Sequence, residues 1–159
     1  MSLFDTRKQY GLSQKEAATA LKVPLRTYVR YEKEDSYGDV YKRRAMIESL
    51  DALYQITENK GLLTVEQIKT LVKEVFDSKY SGQIEFCYLF GSYAKGYAKE
   101  DSDVDLLVST SLTGIRFVGL SEAIREKLHK KIDIIRLSNI GENMLLINEI
   151  MKDGIKIYG

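Results

Sequence analysis

The sequence predicts an α+β protein. It has a small all-helical N-terminal domain over residues 1–58 and a mixed three- to four-stranded sheet flanked by helices over residues 64–159. Three observations predict it. Up to Ile56 the apolar residues recur at helical spacing. Further on, short apolar runs at 86–90, 104–108 and 132–135 read as strands. Beside those runs lie helical stripes such as Leu120, Ile124 and Leu128, spaced to pack on a sheet.

Taken in order, residues 2–10 form a short helix. Ser13 caps the next one, with Glu16 at capping-box spacing and Ala17, Ala18 and Leu21 on its apolar face. Lys22-Val23-Pro24 makes a tight turn, and Pro24 suits the first position of a third helix. On that helix Tyr28 and Tyr31 share a face, while Arg26, Thr27 and Arg30 lie elsewhere around it. Residues 35–39 read as a loop. Met46, Ile47, Leu50, Leu53 and Tyr54 form one stripe of a helix over 40–56 that closes the N-terminal core. Residues 57–63 are the linker.

Thr64 and Gln67 then form a second capping box, opening a helix whose buried stripe is Ile68, Leu71, Val72, Val75 and Phe76. Ser81-Gly82 ends it and leads into the aromatic-rich first strand, which runs into Gly91-Ser92. Ten residues later Asp103-Val104-Asp105 opens the second strand. Residues 109–114 are a loop rich in turn formers, and the third strand carries one acid, Asp133. A last helix over 143–152 places Met144, Ile147 and Met151 on one side, and residues 155–158 add a short edge strand that frays.

Composition narrows the function classes. Hydrophobic residues make up 44% and charged residues 30%, ordinary for a soluble globular protein. A net charge of +1 argues for neither nucleic acid nor membrane as a bulk partner. Seven basic residues between Lys22 and Arg44 nevertheless form a local patch. Cys87 is the only cysteine and falls in a predicted buried strand, so a disulfide framework is excluded and a catalytic thiol is disfavoured. No apolar run is long enough to span a bilayer and no signal peptide is read, so the expected location is the cytoplasm, away from membranes.

The chemistry centres on residues 84–108. Gly91 permits a sharp turn and close approach of the backbone to a ligand. Ser92 is expected to cap a short helix whose free N–H groups and positive dipole end suit a phosphate. Asp103 and Asp105, two apart on a strand, face the same side. Two like charges on one face call for a cation, and the hard, oxygen-liganded Mg²⁺ is the natural one. An unpaired Asp133 inside an apolar run is costly as a core residue. It is read either as a third metal-site carboxylate or as the partner of Lys130, Lys131 or Arg136.

The Gly-Ser turn, ten-residue gap and Asp-x-Asp pair resemble the nucleotidyltransferase superfamily that includes DNA polymerase beta, in its small prokaryotic branch, the minimal nucleotidyltransferases. The resemblance implies that Gly91 and Ser92 hold the triphosphate of ATP, with Lys95 as a basic residue on the short helix that follows. It implies that Asp103 and Asp105 bind Mg²⁺ and that Asp133 is the third acid of the site. Members of that branch act as antitoxins that transfer AMP to a tyrosine of a HEPN-family toxin, which makes such a toxin the implied partner. Two other readings stand beside it: a DNA-binding regulator whose second domain only senses nucleotide or docks a partner, and a nucleotidyltransferase acting on a small molecule such as an antibiotic.

The N-terminal part resembles the Cro/repressor-type helix-turn-helix in Leu12-Ser13-Gln14, Ala18, Leu21, Val23, Thr27, Tyr28, Arg30, Tyr31 and Glu32. The resemblance implies that Arg26, Thr27 and Arg30 face operator DNA, that Gln14 meets a phosphate, and that a homodimer reads paired half-sites. The alternative is a small helical domain used for dimerisation or partner contact. One departure is Lys22, at a turn position where the family often has Gly; a left-handed backbone there costs about 1 kcal/mol.

Overall fold

The computed structural model describes all residues, Met1–Gly159, in two compact units, Met1–Gln55 and Ile56–Gly159. The first unit is all helical: α1 (Leu3–Gln9), α2 (Gln14–Ala20), α3 (Leu25–Lys33) and α4 (Val40–Tyr54). Capping boxes start α1, from Ser2 and Asp5, and α2, from Ser13 and Glu16, each satisfying two otherwise orphaned N–H groups. Pro24 is the N-cap of α3, one residue earlier than expected, so Leu25 takes the first helical position. Lys22 does adopt the left-handed backbone, with φ +54°, and the turn absorbs the steric cost that a glycine would avoid.

The core of this unit is Leu3, Ala17, Ala18, Tyr28, Tyr31, Met46 and Leu50. Leu53, expected in the stripe of α4, is exposed instead. A buried ion pair crosses the unit: Arg7 Nε donates to Glu32 Oε2 at 2.7 Å and Nη2 to Oε1 at 2.8 Å. Arg7 Nη1 also donates to the Leu12 carbonyl, so the guanidinium ties α1, the α1–α2 turn and α3 together.

The second unit contains α5 (Val65–Lys79), β1 (Ile84–Phe90), α6 (Gly91–Lys95), β2 (Val104–Thr110), α7 (Gly114–Leu128), β3 (Ile132–Arg136), α8 (Met144–Asp153) and β4 (Ile155–Tyr158). Thr64 and Gln67 form the expected capping box on α5. The sheet is mixed and four-stranded in the order β3-β2-β1-β4, with β1 antiparallel to β2 and β4 and β2 parallel to β3. The parallel pair requires a crossover, and α7 supplies it.

Strand parity sorts the side chains onto two faces. Val104, Leu106 and Val108 join Ile68, Val72, Phe76, Leu120 and Ile124 in the main core, under α5 and α7. Leu107, Phe90 and Ile150 form a smaller cluster with Ile135 and Leu146, under α8. On α8 it is Leu146 and Ile150 that turn to the sheet, whereas Met144 and Met151 point to solvent, contrary to the expected face. β4 pairs with β1 and buries Ile157, and the Tyr158 hydroxyl donates to Asp77 Oδ1 on α5 at 2.9 Å, so the strand is tied to both β1 and α5. No helix is long and apolar enough to cross a membrane.

Candidate active site

The site grows out of the register between β2 and β3. Asp105 and Asp133 are direct partners on adjacent parallel strands, so both point to the α8 face. Asp103, two residues before Asp105, is placed by the same alternation toward that face, at the mouth of β2. Asp105 is half-buried, while Asp103 and Asp133 are exposed.

Across the sheet, Asp105 is the register partner of Phe90, the last residue of β1. The next residue, Gly91, has φ +70°, and a β-carbon there would overlap Oδ2 of Asp105. The carboxylate therefore lies directly against the backbone of the turn. The turn continues into α6, which Gly96 closes with a left-handed φ of +81°. Phe90, at the N-cap, offers no side-chain acceptor to the first N–H groups of α6. Ser92 lies inside the first turn of α6 and does not cap it, unlike the expectation.

Electrostatics single out Asp105. Its pKa is pushed up to about 6, first by burial and then by the negative charges of Asp133, Asp103 and Glu149. Glu149 was not picked out in the sequence. It comes from α8, where the readable signal is an acid beside Ile150 on a helix otherwise largely apolar. Its carboxylate accepts from Lys95 Nζ at 2.6 Å, linking α8 to α6. Lys95, expected to reach a phosphate, is thus held beside the acids by an ion pair, which raises its own pKa.

The alternative partners of Asp133 are not used in the way the sequence suggested. Lys130 turns inward and is fully buried, with its ammonium on backbone carbonyls. Arg136 bonds to the Leu112 carbonyl and Asn139.

The gathered acids offer carboxylate oxygens, a donor set that suits a hard divalent cation such as Mg²⁺. As placed, the side chains do not close into a set of three His, Cys, Asp or Glu groups spaced to hold a metal ion. Asp103 and Asp133 are exposed, so other staggered rotamers are open to both side chains beside Asp105. The donor chemistry and the glycine cradle fit such an ion.

In the first unit, Gln14 Nε2 donates to Glu32 Oε1 at 3.0 Å, which commits that amide nitrogen to the buried ion pair. Arg26 is exposed and Thr27 half-buried on α3. Arg30 is exposed, stacks over the Tyr37 ring at 3.9 Å and lies 3.8 Å from Glu34.

Residues 66–159 match the family described as polymerase beta, nucleotidyltransferase. A protein of Thermococcus cleftensis named protein adenylyltransferase MntA is 33% identical over 91 residues, 50% of this chain and 84% of that one. A Methanocaldococcus jannaschii protein is 31% identical over 80 residues, 48% of this chain and 93% of that one. Among solved structures, one described as a toxin-antitoxin with AMP-PNP matches with a TM-score of 0.50 and 22% identity, over 57% of this chain and 73% of that chain. That likeness is one of fold.

Proposed function

The chain belongs to the polymerase beta nucleotidyltransferase family, and from that premise we propose that it transfers AMP from Mg-ATP to a protein hydroxyl. The observation that carries the reading is the convergence of Asp105 and Asp133, with Asp103, on one sheet face against the Gly91 turn. The acceptor we propose is a tyrosine of a HEPN-family toxin, with this chain as its antitoxin. The relative named protein adenylyltransferase MntA, sharing 33% identity over 84% of its length, supports a protein as the acceptor.

The reaction forms a bond between the acceptor oxygen and the α-phosphorus and breaks the bond from that phosphorus to the bridging oxygen. The bond's electrons leave on pyrophosphate, and the acceptor proton must go to a base. In our reading the backbone N–H groups of Gly91 and Ser92, at the uncapped start of α6, take the β- and γ-phosphates. Lys95 neutralises phosphate charge when it exchanges its Glu149 partner for the triphosphate. Asp103 and Asp105 would hold the divalent cations, and Asp133 would complete the set and accept the proton of the attacking hydroxyl. When bound, Mg²⁺ supplies charge stabilisation for the attacking and leaving oxygens.

A specific observation also supports DNA binding by the first unit. The α2–α3 pair is joined by a tight left-handed turn at Lys22, and α3 exposes Arg26 and Arg30. We propose residues 1–58 as a helix-turn-helix head on operator DNA, paired in a homodimer, and residues 64–159 as the nucleotidyltransferase domain.

The test is incubation with labelled ATP, Mg²⁺ and the product of the neighbouring gene. Mass spectrometry should show a mass gain of one adenylyl group on a tyrosine. Asp103→Ala and Asp105→Ala should abolish it while the chain stays folded. Equal labelling by the variants would reject this site, and labelling of only a small molecule would move the acceptor class.

A further inference from the structure

Lys130 is the largest charged side chain fully removed from solvent in the second unit, and no carboxylate pairs with it. Its Nζ donates to the carbonyl of Glu100 and, at 3.3 Å, to the carbonyl of Lys60. The negative charges of Glu100 and Asp101 also act on the ammonium, but burial outweighs them and lowers its pKa, so an apolar side chain of that volume would fill the space more cheaply. The chain nevertheless steers the lysine there. α7 ends at His129 in a left-handed conformation, φ +54°, which turns the backbone sharply just before Lys130.

What the ammonium grips is the loop ahead of β2. Glu100 lies three residues before Asp103. The rest of that loop is a self-contained turn, closed by Ser102 N–H on the Lys99 carbonyl at 3.0 Å and by Lys99 N–H on Ser102 Oγ at 2.8 Å. The neighbouring Lys131 carbonyl accepts from Val104 N–H at 2.9 Å, pinning the first residue of β2, between Asp103 and Asp105. Two residues further on is Asp133. The short segment 130–133 thus holds the Asp103 loop with a side chain, holds Val104 with a carbonyl, and contributes the third acid itself.

We propose that Lys130 is a positioning residue: its buried ammonium fixes the loop leading to Asp103 against the start of β3 and so sets the spacing of Asp103 from Asp133 for a divalent cation. The inference rests on the reading of those acids as the metal site. It assigns to a residue outside the nucleotide turn the task of pre-ordering two exposed carboxylates, which otherwise have no packing to hold them.

The test uses Mn²⁺ with ATP as the probe and the full chain. Affinity is read at 20 °C from water-proton relaxation, and thermal unfolding is followed in parallel. Lys130→Met should unfold cooperatively well above 20 °C, yet bind Mn²⁺ at least about tenfold more weakly. Lys130→Arg, which restores a buried cation with donors, should recover most of that loss. A purely structural lysine would lower the melting midpoint and leave the affinity of the folded protein unchanged. Lys130→Met binding within twofold of the parent, while Asp105→Asn has lost the ion, overturns the proposal alone. Asp105→Asn binding as the parent does overturns the metal reading and this inference with it. If Lys130→Met does not fold, Lys130→Gln, a neutral and shorter donor, is judged by the same two outcomes.

Discussion

Gly91 and Asp105 lie so close that no β-carbon fits between them. The contact follows from the register, since Phe90 faces Asp105 across β1 and β2 and the chain then turns over the carboxylate with φ +70°. Two independent demands meet at this residue: a left-handed backbone, and room for a neighbouring acid. Gly91→Ala should therefore do more than add about 1 kcal/mol of backbone strain. It should push the Asp105 side chain out of place, and nucleotidyl transfer should fall at least about 100-fold, a loss of roughly 3 kcal/mol in transition-state stabilisation. Pyrophosphate release and a thermal melt measured together check this. A folded and fully active Gly91→Ala chain would remove the cradle from the argument.

Asp105 also gives the metal-free protein a pH signature. Its folded pKa is raised to about 6, by burial first and by Asp133, Asp103 and Glu149 next. The native state then binds more protons than the unfolded chain between the ordinary aspartate value and that pKa. Stability is accordingly greatest below about pH 4 as far as this group is concerned, and falls as pH rises through 6. Asp105→Asn removes the penalty. The variant should be more stable than the parent at pH 8, by about 1 kcal/mol once solvent screening of a half-exposed site is allowed for, and the gap should close below about pH 4. Millimolar Mg²⁺ should raise the melting midpoint of the parent at pH 8 and leave the variant unmoved. A variant less stable than the parent across the whole range would contradict the assigned repulsion.

Glu149 acts on the same carboxylate from the other side while it holds Lys95. Glu149→Gln takes one negative charge away, so ionising Asp105 becomes easier and its titration should move to lower pH in metal-free protein. Carboxyl ¹³C resonances can follow that titration directly. Lys95→Met should leave Asp105 in place but weaken ATP, raising its KM roughly tenfold with a smaller effect on kcat. Equal ATP affinity in the two proteins would return Lys95 to the role of a surface ion-pair residue.

Local signals in the sequence account for much of this architecture. The capping boxes at Ser13–Glu16 and Thr64–Gln67 need only neighbouring residues, and both form as expected. The common face of Asp103 and Asp105 follows from strand alternation carried one residue ahead of β2. What local pattern left open was set at long range or by competition. Asp133 is legible as the third acid through its cost in an apolar run and the family resemblance, while its meeting with Asp105 depends on the register of a parallel pair joined by a fifteen-residue crossover helix, which no local pattern specifies. On α8, Leu, Ile and Met occupy so much of the circumference that periodicity could not choose the buried side, and the sheet selected Leu146 and Ile150 over Met144 and Met151. Lys130 reads from the sequence as an alternative partner of Asp133, because its burial depends on carbonyls from residues 60 and 100, remote in the chain.

The first unit offers a way to separate folding from recognition. Glu32→Ala would strand the buried Arg7 guanidinium, which the carboxylate now binds through two nitrogens, and should cost about 3–5 kcal/mol in that unit's stability. Arg26 and Arg30 are different, because both side chains are exposed and the Arg30–Glu34 pair spans 3.8 Å in solvent, where such pairs contribute little. Alanine at either should leave stability within about 0.5 kcal/mol of the parent. If α3 lies on DNA, each change should weaken binding to a fragment taken from upstream of the chain's own gene. A change that removes a phosphate contact should also flatten the salt dependence by about one unit of slope, whereas loss of a base contact should relax sequence preference. Fluorescence anisotropy across a salt series reads both effects. Retention of full affinity and slope in the double variant would assign this face to a protein partner, since a cationic helix laid in a groove cannot lose two guanidinium groups without releasing fewer counterions.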